Sequence, residues 1–320
     1  MVHLRDVSKY YGQKRALGPV SLDVEEGATV GCLGLNGVGK TTLLRILACG
    51  LRPSSGTVEI AGLNVLEQPH EVRKRVGYLP ELPPVYGDMP VGEYLAFVGR
   101  IKGLPAAGLA DRIAEVEHTT HLEEVHHVPT RHLSQGYRQR VGVAQAIIHD
   151  PDLLILDEPT HDLDPVQIVE MRELIRNLQG SRTLLISSHI LPEISQTCDR
   201  LLILNDGRIV ASGDEADLRA RFMKQTVLEV SVATGSGPGG HTVESLLGSV
   251  QGVVRVTVAD RGADEVTYQV YTEGDVRAPV CRALVEGGWE VVALGTGERE
   301  LENLFVGLVG AGSPRAGAEA

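Results

Sequence analysis

Gly34-Leu-Asn-Gly-Val-Gly-Lys-Thr-Thr42 places three glycines, one lysine and two threonines in nine residues. The spacing is Gly-x-x-x-x-Gly-Lys-Thr, with Gly34, Gly39, Lys40 and Thr41 at the fixed positions. Leu35, Asn36, Gly37 and Val38 fill the loop, and Thr42 follows it. Glycine leaves backbone N–H groups bare, able to approach a ligand with no Cβ in the way. A ring of such groups ahead of a helix N-terminus binds anions. The stretch reads as a phosphate cradle; a flexible glycine-rich turn is the alternative. The flanks favour the cradle. Residues 28–35 are β-prone, and 41–48 carry Leu43, Leu44 and Leu47 at helical spacing. Strand, glycine-rich loop and helix are the context a phosphate loop requires.

Two further apolar runs lie downstream. Residues 153–156 end in Asp157 and Glu158; residues 183–186 end in Ser187, Ser188 and His189. Continuous apolar strands with polar carboxyl ends predict a buried parallel sheet. Ligands of such sheets sit outside the carboxyl ends of the strands, so three strand ends are expected to converge on one phosphate site. Lys40 is placed to reach the β- and γ-phosphates, and the Thr41 hydroxyl to bind Mg²⁺. Asp157 is placed for the Mg²⁺ shell. Glu158, next to it, is placed to position and activate an attacking water. A solvated strand end is the bland alternative for this carboxylate pair.

The rest of the chain divides by texture. Residues 91–148 are mostly helical, opening with Tyr94, Phe97, Val98 and Ile101 at i, i+3, i+4, i+7. From Thr226 onward apolar residues alternate: Leu228, Val230, Val232; Val254, Val256, Val258; Val266, Tyr268, Val270. Helical faces run through Val243, Leu246, Leu247 and Val250, and through Val276, Val280, Ala283 and Leu284, with Asp275 placed as a cap. A strand over 290–294 completes β-α-β-β-α-β, a small α+β ferredoxin-like unit. A last amphipathic helix is expected over 299–309, and GSGPGG near residue 237 reads as a loop. The domains expected are 1–222, with a helical subdomain at about 84–150, then 226–309, then a disordered tail, 310–320.

Composition narrows the function. A net charge of −12 argues against broad nucleic-acid binding. Cys32, Cys49, Cys198 and Cys281 lie far apart with no metal or disulfide spacing, which reads as a reduced, cytosolic chain. No apolar run approaches the roughly 20 residues that span a bilayer, and the N-terminus lacks the apolar core of a signal peptide. His118, His121, His126, His127 and His132 crowd one segment, but without metal-ligand spacing they read as a solvated surface.

Leu133-Ser-Gln-Gly-Tyr-Arg-Gln-Arg140 lies shortly before Asp157. A Ser-x-Gly at a helix start offers a hydroxyl, backbone N–H groups and a helix dipole, together a second anion site. The stretch resembles the LSGGQ signature of the ABC ATPases. The resemblance covers residues 1–220 in order. It implies an ABC-type P-loop NTPase fold, with Tyr11 stacking on adenine; its neighbour Tyr10 is expected to pack inward. It also implies Glu81 at the Q-loop position beside the metal, Thr160–Pro165 as D-loop, and His189 as switch histidine. Glu158, His189 and Lys40 then carry hydrolysis, and Ser134, Gln135 and Gly136 contact the nucleotide of a second subunit. Departures are Gln135 and Tyr137 in the signature, glutamate rather than glutamine at 81, and His161–Asp162 in the D-loop. Asp162 is either solvated or a source of repulsion at the dimer seam.

The resemblance further implies ATP and Mg²⁺ as ligands and a head-to-tail homodimer. It implies a separate integral-membrane permease and a place on the cytoplasmic face of the inner membrane. The wording GYLPE and LSxGYRQR, with the closing LENLFVGL, is similar to ATPases of bacterial drug-resistance and gliding-motility exporters. The rival reading is a soluble ABC ATPase acting on nucleic acid or ribosomes. The single cassette, the lack of room for a coiled coil and the acidic charge oppose it.

Overall fold

The computed structural model describes residues 1–222, 226–237 and 242–296. The described residues form two compact units that divide after Glu215. The change of sequence texture comes later, beyond the helix Glu215–Phe222.

Two sheets build the first unit. One has six strands in the order Arg208–Gly213, Arg200–Asn205, Thr29–Leu33, Thr183–Ser188, Leu153–Asp157, Val76–Leu79. The last five are mutually parallel, and the first is an antiparallel edge. Every residue of Thr29–Leu33, Leu153–Asp157 and Thr183–Ser188 is buried. That is why these strands read as unbroken apolar runs rather than alternating ones. Burying each Leu or Ile of Leu153–Leu156 contributes about 1.5–3 kcal/mol.

The second sheet is antiparallel, ordered Lys14–Val24, Val2–Tyr11, Ser55–Ile60, Leu63–Asn64. The helix Lys40–Leu47 buries Leu43, Leu44, Ile46 and Leu47 in a core shared by both sheets, with Val2, Leu4 and Leu22 from one and Val30, Ile155 and Leu185 from the other. The phosphate loop is thereby anchored at both ends.

Helices Val91–Ile101, Leu109–Thr120 and Gln135–Ile147 occupy the segment expected to be helical. The first turns a different side inward than the chosen stripe. Val91, Tyr94 and Leu95 are buried, whereas Ile101 is 67% exposed. Residues 91, 94, 95 and 98 also fit i, i+3, i+4, i+7, so periodicity alone offered two overlapping stripes. Phe97 instead sets its ring edge-on to Tyr86, at 5.5 Å.

The second unit orders its strands Val253–Arg261, Glu265–Thr272, Thr226–Ala233, Val291–Thr296, with every neighbour antiparallel. With helices Val243–Gly248 and Arg277–Glu286 this is a ferredoxin-like arrangement around Leu228, Val230, Tyr268, Val270, Val280 and Leu284. One inward assignment fails: Val254 is 50% exposed. The register slips between Val253 and Arg255, a bulge that reverses the alternation, so Val253 and Val256 pack on the core instead. Asp275 accepts the Arg277 N–H at 3.2 Å and pairs with its guanidinium at 2.7 Å, while Val276 holds the N-cap position. The expected helix at 299–309, the tail 310–320 and residues 238–240 of the glycine-rich loop lie outside the described residues.

Candidate active site

The parallel sheet aligns the three strand ends. Leu33 is level with Ser188, and Asp157 with Ser187. Over them lies a cavity of about 300 Å³ lined by Ala16, Asn36, Gly37, Gly39, Lys40, Thr41, Thr42, Glu81 and Glu158.

The loop geometry demands its glycines. Gly39 has φ 112°, and a Cβ there would stand 2.5 Å from the Ala16 carbonyl oxygen. At Gly34 a Cβ would strike the Val38 side chain and the Leu204 carbonyl. Lys40 is 6% exposed; its Nζ donates to Gly34 O at 2.6 Å and lies 3.1 Å from Glu158 Oε1. The ammonium is thus held at the floor of the cradle. Leu35 is exposed, and the Val38 amide closes the loop weakly on Leu35 O at 3.5 Å.

Asp157 is fully buried. Its Oδ1 accepts from Ser187 Oγ at 2.6 Å, while Oδ2 has no hydrogen-bond partner. Burial raises its pKa. The Ser187 hydrogen bond and the nearby Thr41 hydroxyl oppose that rise, and the charges of Glu158 and Glu81 add to it. A buried carboxylate oxygen without a partner is costly unless a cation or donor meets it. Three His, Cys, Asp or Glu side chains do not converge on one point among the described residues. Mg²⁺ does not need them: it takes one or two carboxylates and completes its octahedron with phosphate oxygens and water. Asp157 Oδ2, the Thr41 hydroxyl and the Glu81 carboxylate are hard oxygen donors that fit such an ion.

Glu158 adopts φ 50°, the left-handed region that a non-glycine residue enters at a cost. Its amide donates to Ser187 Oγ at 2.9 Å, so Ser187 holds the Asp157 carboxylate and the Glu158 backbone together. His189 Nδ1 lies 2.9 Å from Glu158 Oε2. A carboxylate only accepts, so Nδ1 carries the hydrogen. Lys40, Glu158 and His189 form one continuous chain of polar contacts.

Other expected residues stand apart. Tyr11 is 50% exposed, under the Lys9 ammonium at 5.4 Å, and does not line the cavity. Tyr10, expected to pack inward, is 46% exposed: it sits near the end of a strand whose register is slipping. Ser134, Gln135 and Gly136 are also absent from the cavity lining. Ser134 caps the helix Gln135–Ile147 by accepting from Tyr137 N at 3.3 Å, and Gly136 is buried against Gln167. Asp162 is largely exposed, while Asp164 caps the helix Pro165–Asn177, accepting from Val166 N and Gln167 N at 3.0 Å each. The histidine segment pairs with carboxylates: His118 with Glu123 at 2.9 Å, His126 with the buried Glu117 at 2.7 Å.

Sequence reasoning missed several contributors. Ala16 reaches the cavity from the antiparallel sheet. Gln139 Nε2 donates to the Glu81 carbonyl at 3.3 Å. His161 Nε2 lies 3.7 Å from Glu81 Oε1 and 3.3 Å from Asp162 Oδ2. Ser187 alone had a signal, as the first polar residue after the apolar run 183–186.

Comparison with known proteins follows the same lines. The sequence profile of the ABC transporter family matches residues 17–161. The bacitracin transport ATP-binding protein BcrA of Bacillus licheniformis is 31% identical across 98% of both chains. The Nod factor export ATP-binding protein I of Ralstonia nicotianae is 36% identical over 72% of each chain. Among solved structures, an ATP-binding subunit of an ABC transporter superposes with TM-score 0.64 at 30% identity, over 69% of this chain and 93% of that one.

Proposed function

The chain belongs to the ABC transporter ATP-binding family, and on that premise we propose that it hydrolyses ATP to drive a separate membrane permease, in the export direction. The observation that carries the chemistry is the linked set at the strand ends. Lys40, Glu158 and His189 are in contact beside a buried Asp157 with one unpaired oxygen.

The bare amides of Asn36–Thr42 and the Lys40 ammonium hold the β- and γ-phosphates. Tyr11 offers an exposed ring to the adenine. Asp157, Thr41 and Glu81 hold Mg²⁺, which when bound supplies charge neutralisation at the transferring phosphoryl group. Glu158 accepts a proton from the attacking water. His189, donating to Oε2, leaves Oε1 for that task once the phosphates take up the Lys40 ammonium, which here lies 3.1 Å from it.

Ser134 and the helix it caps lie off the cavity of their own chain. Their hydroxyl and helix N-terminus suit the uncovered side of a γ-phosphate held by a second copy. Two chains, each giving its cradle to one ATP and its signature to the other, complete both sites. Among the described residues no helix is long and apolar enough to cross a membrane, so translocation falls to a partner. Relatives named for bacitracin transport and Nod factor export support the exporter reading, and the former spans the second unit as well.

Glu158→Gln tests the assignment. It should bind Mg·ATP, form a stable dimer in sedimentation, and lose turnover by at least about 100-fold. Dimerisation without ATP, or turnover at the wild-type rate, overturns it. Purification from detergent-solubilised membranes should bring down a polytopic partner.

A further inference from the structure

Two departures from the family pattern, Glu81 and His161, are neighbours in space although 80 positions apart in the chain. We propose that His161 is a positioning residue for Glu81, tethering its carboxylate at the mouth of the phosphate cavity where it serves the metal. The inference rests on the ATPase reading and deepens it.

Glu81 lines the cavity together with Lys40, Thr41 and Glu158. Its backbone is held by Gln139 Nε2 on the carbonyl oxygen. Its side chain is nearly half exposed, and among the described residues its one ion-pair contact is His161 Nε2, at 3.7 Å. The same ring nitrogen lies 3.3 Å from Asp162 Oδ2, so two carboxylates share it. The D-loop backbone supports this placement: Asp162 has φ 57°, His161 N donates to Glu158 O at 3.0 Å, and Leu163 N donates to Thr160 O at 3.3 Å. His161 is one-third exposed and belongs to no core cluster, so packing gives it no other role.

A glutamate at this position brings a third carboxylate close to Asp157 and Glu158. Glu81 is near enough to help raise the proton affinity of Asp157. Left untethered, it can rotate into solvent or inward against those two. The His161 ring, 3.7 Å away on the D-loop, gives it a polar partner at the rim instead. A glutamine could still accept from that ring nitrogen through Oε1 but would bring no charge to the contact. Glu81 and His161 thus act as a pair, with Asp162 on the same ring nitrogen. Outer-shell partners of metal-bound carboxylates typically change metal affinity by about 10- to 100-fold.

The test is a double-mutant cycle on the full chain, H161A, E81Q and both together, with melting curves to verify folding. Mn²⁺ affinity is read by electron paramagnetic resonance in the presence of ADP, and kcat and KM for ATP are read at saturating Mg²⁺. H161A should weaken Mn²⁺ binding by about tenfold and leave kcat at saturating metal within about twofold. In the E81Q background the same change should move Mn²⁺ affinity by less than about twofold, since distant sites add and coupled ones do not. An equal loss in both backgrounds, or none in either, overturns the inference while leaving the ATPase reading intact. A wild-type protein that binds no nucleotide overturns both.

Discussion

Asp157 is the residue where stability and function pull hardest against each other. Its carboxylate is fully buried, has one oxygen without a partner, and is pushed toward the protonated form by desolvation. Asp157→Asn keeps the shape and removes the buried charge. The variant should melt higher, by about 1 kcal/mol of added stability, and lose metal-dependent hydrolysis entirely. A lower melting temperature would show that the charge is already compensated in the folded chain. Gly39→Ala is the converse case. Its φ of 112° and the nearby Ala16 carbonyl exclude a side chain, so the loop must deform. A destabilisation of about 1–3 kcal/mol and at least about tenfold weaker binding of a fluorescent ATP analogue are expected. At this scale the cradle, Asp157, Glu158 and His189 were legible because each sits within a few residues of a strand end, where local spacing dictates its place. Ala16, Gln139 and His161 were not, because their contacts join segments that only the folded sheet brings together.

Among the elements, the fully buried strands were the easiest to read and the bulged one the hardest. A strand buried on both faces has no alternation to lose, whereas Val253–Arg261 reads in period two only until its register slips. Val254 was assigned inward by alternation, and the slip between Val253 and Arg255 turns it out. Val254→Lys should therefore change stability by less than about 0.5 kcal/mol. Val256→Lys, on the side packed against the core, should cost about 2 kcal/mol or more. Urea melts of the two variants followed by Trp289, the one tryptophan, which packs against that core, read the difference directly. Equal costs would mean the pairing is not slipped. The antiparallel sheet carried a readable signal too. Val20, Leu22 and Val24 alternate with polar residues and are all buried.

Across the whole molecule, the architecture followed from the order of apolar runs, but the linkage between helical segment and sheet did not, because it is polar. His149, just beyond the helix Gln135–Ile147, places Nε2 3.0 Å from Val76 O and 3.3 Å from Lys102 Nζ. Lys102, closing the helix Val91–Ile101, also donates to Arg73 O and Val76 O at 3.1 Å each. Burial, then the Lys102 charge, holds the His149 pKa down to about 4 from 6.5; Arg112 adds to this, while the Val76 carbonyl and Asp150 oppose it. Above pH 6.5 the ring is neutral folded or unfolded, and the stability is whole. Between 6.5 and 4 the unfolded chain takes up a proton that the folded chain refuses, so stability falls with pH; below 4 both are charged and the loss is constant. At about 1.4 kcal/mol per pKa step, reduced for the ring's partial exposure, this limb is about 2 kcal/mol. His149→Gln keeps a donor for Val76 O and does not titrate. Its urea midpoint, followed by far-ultraviolet circular dichroism from pH 7.5 to 4, should fall less steeply than the wild type's by that amount. Parallel slopes would place the acid sensitivity elsewhere and leave the Lys102–His149 contact without a part in it.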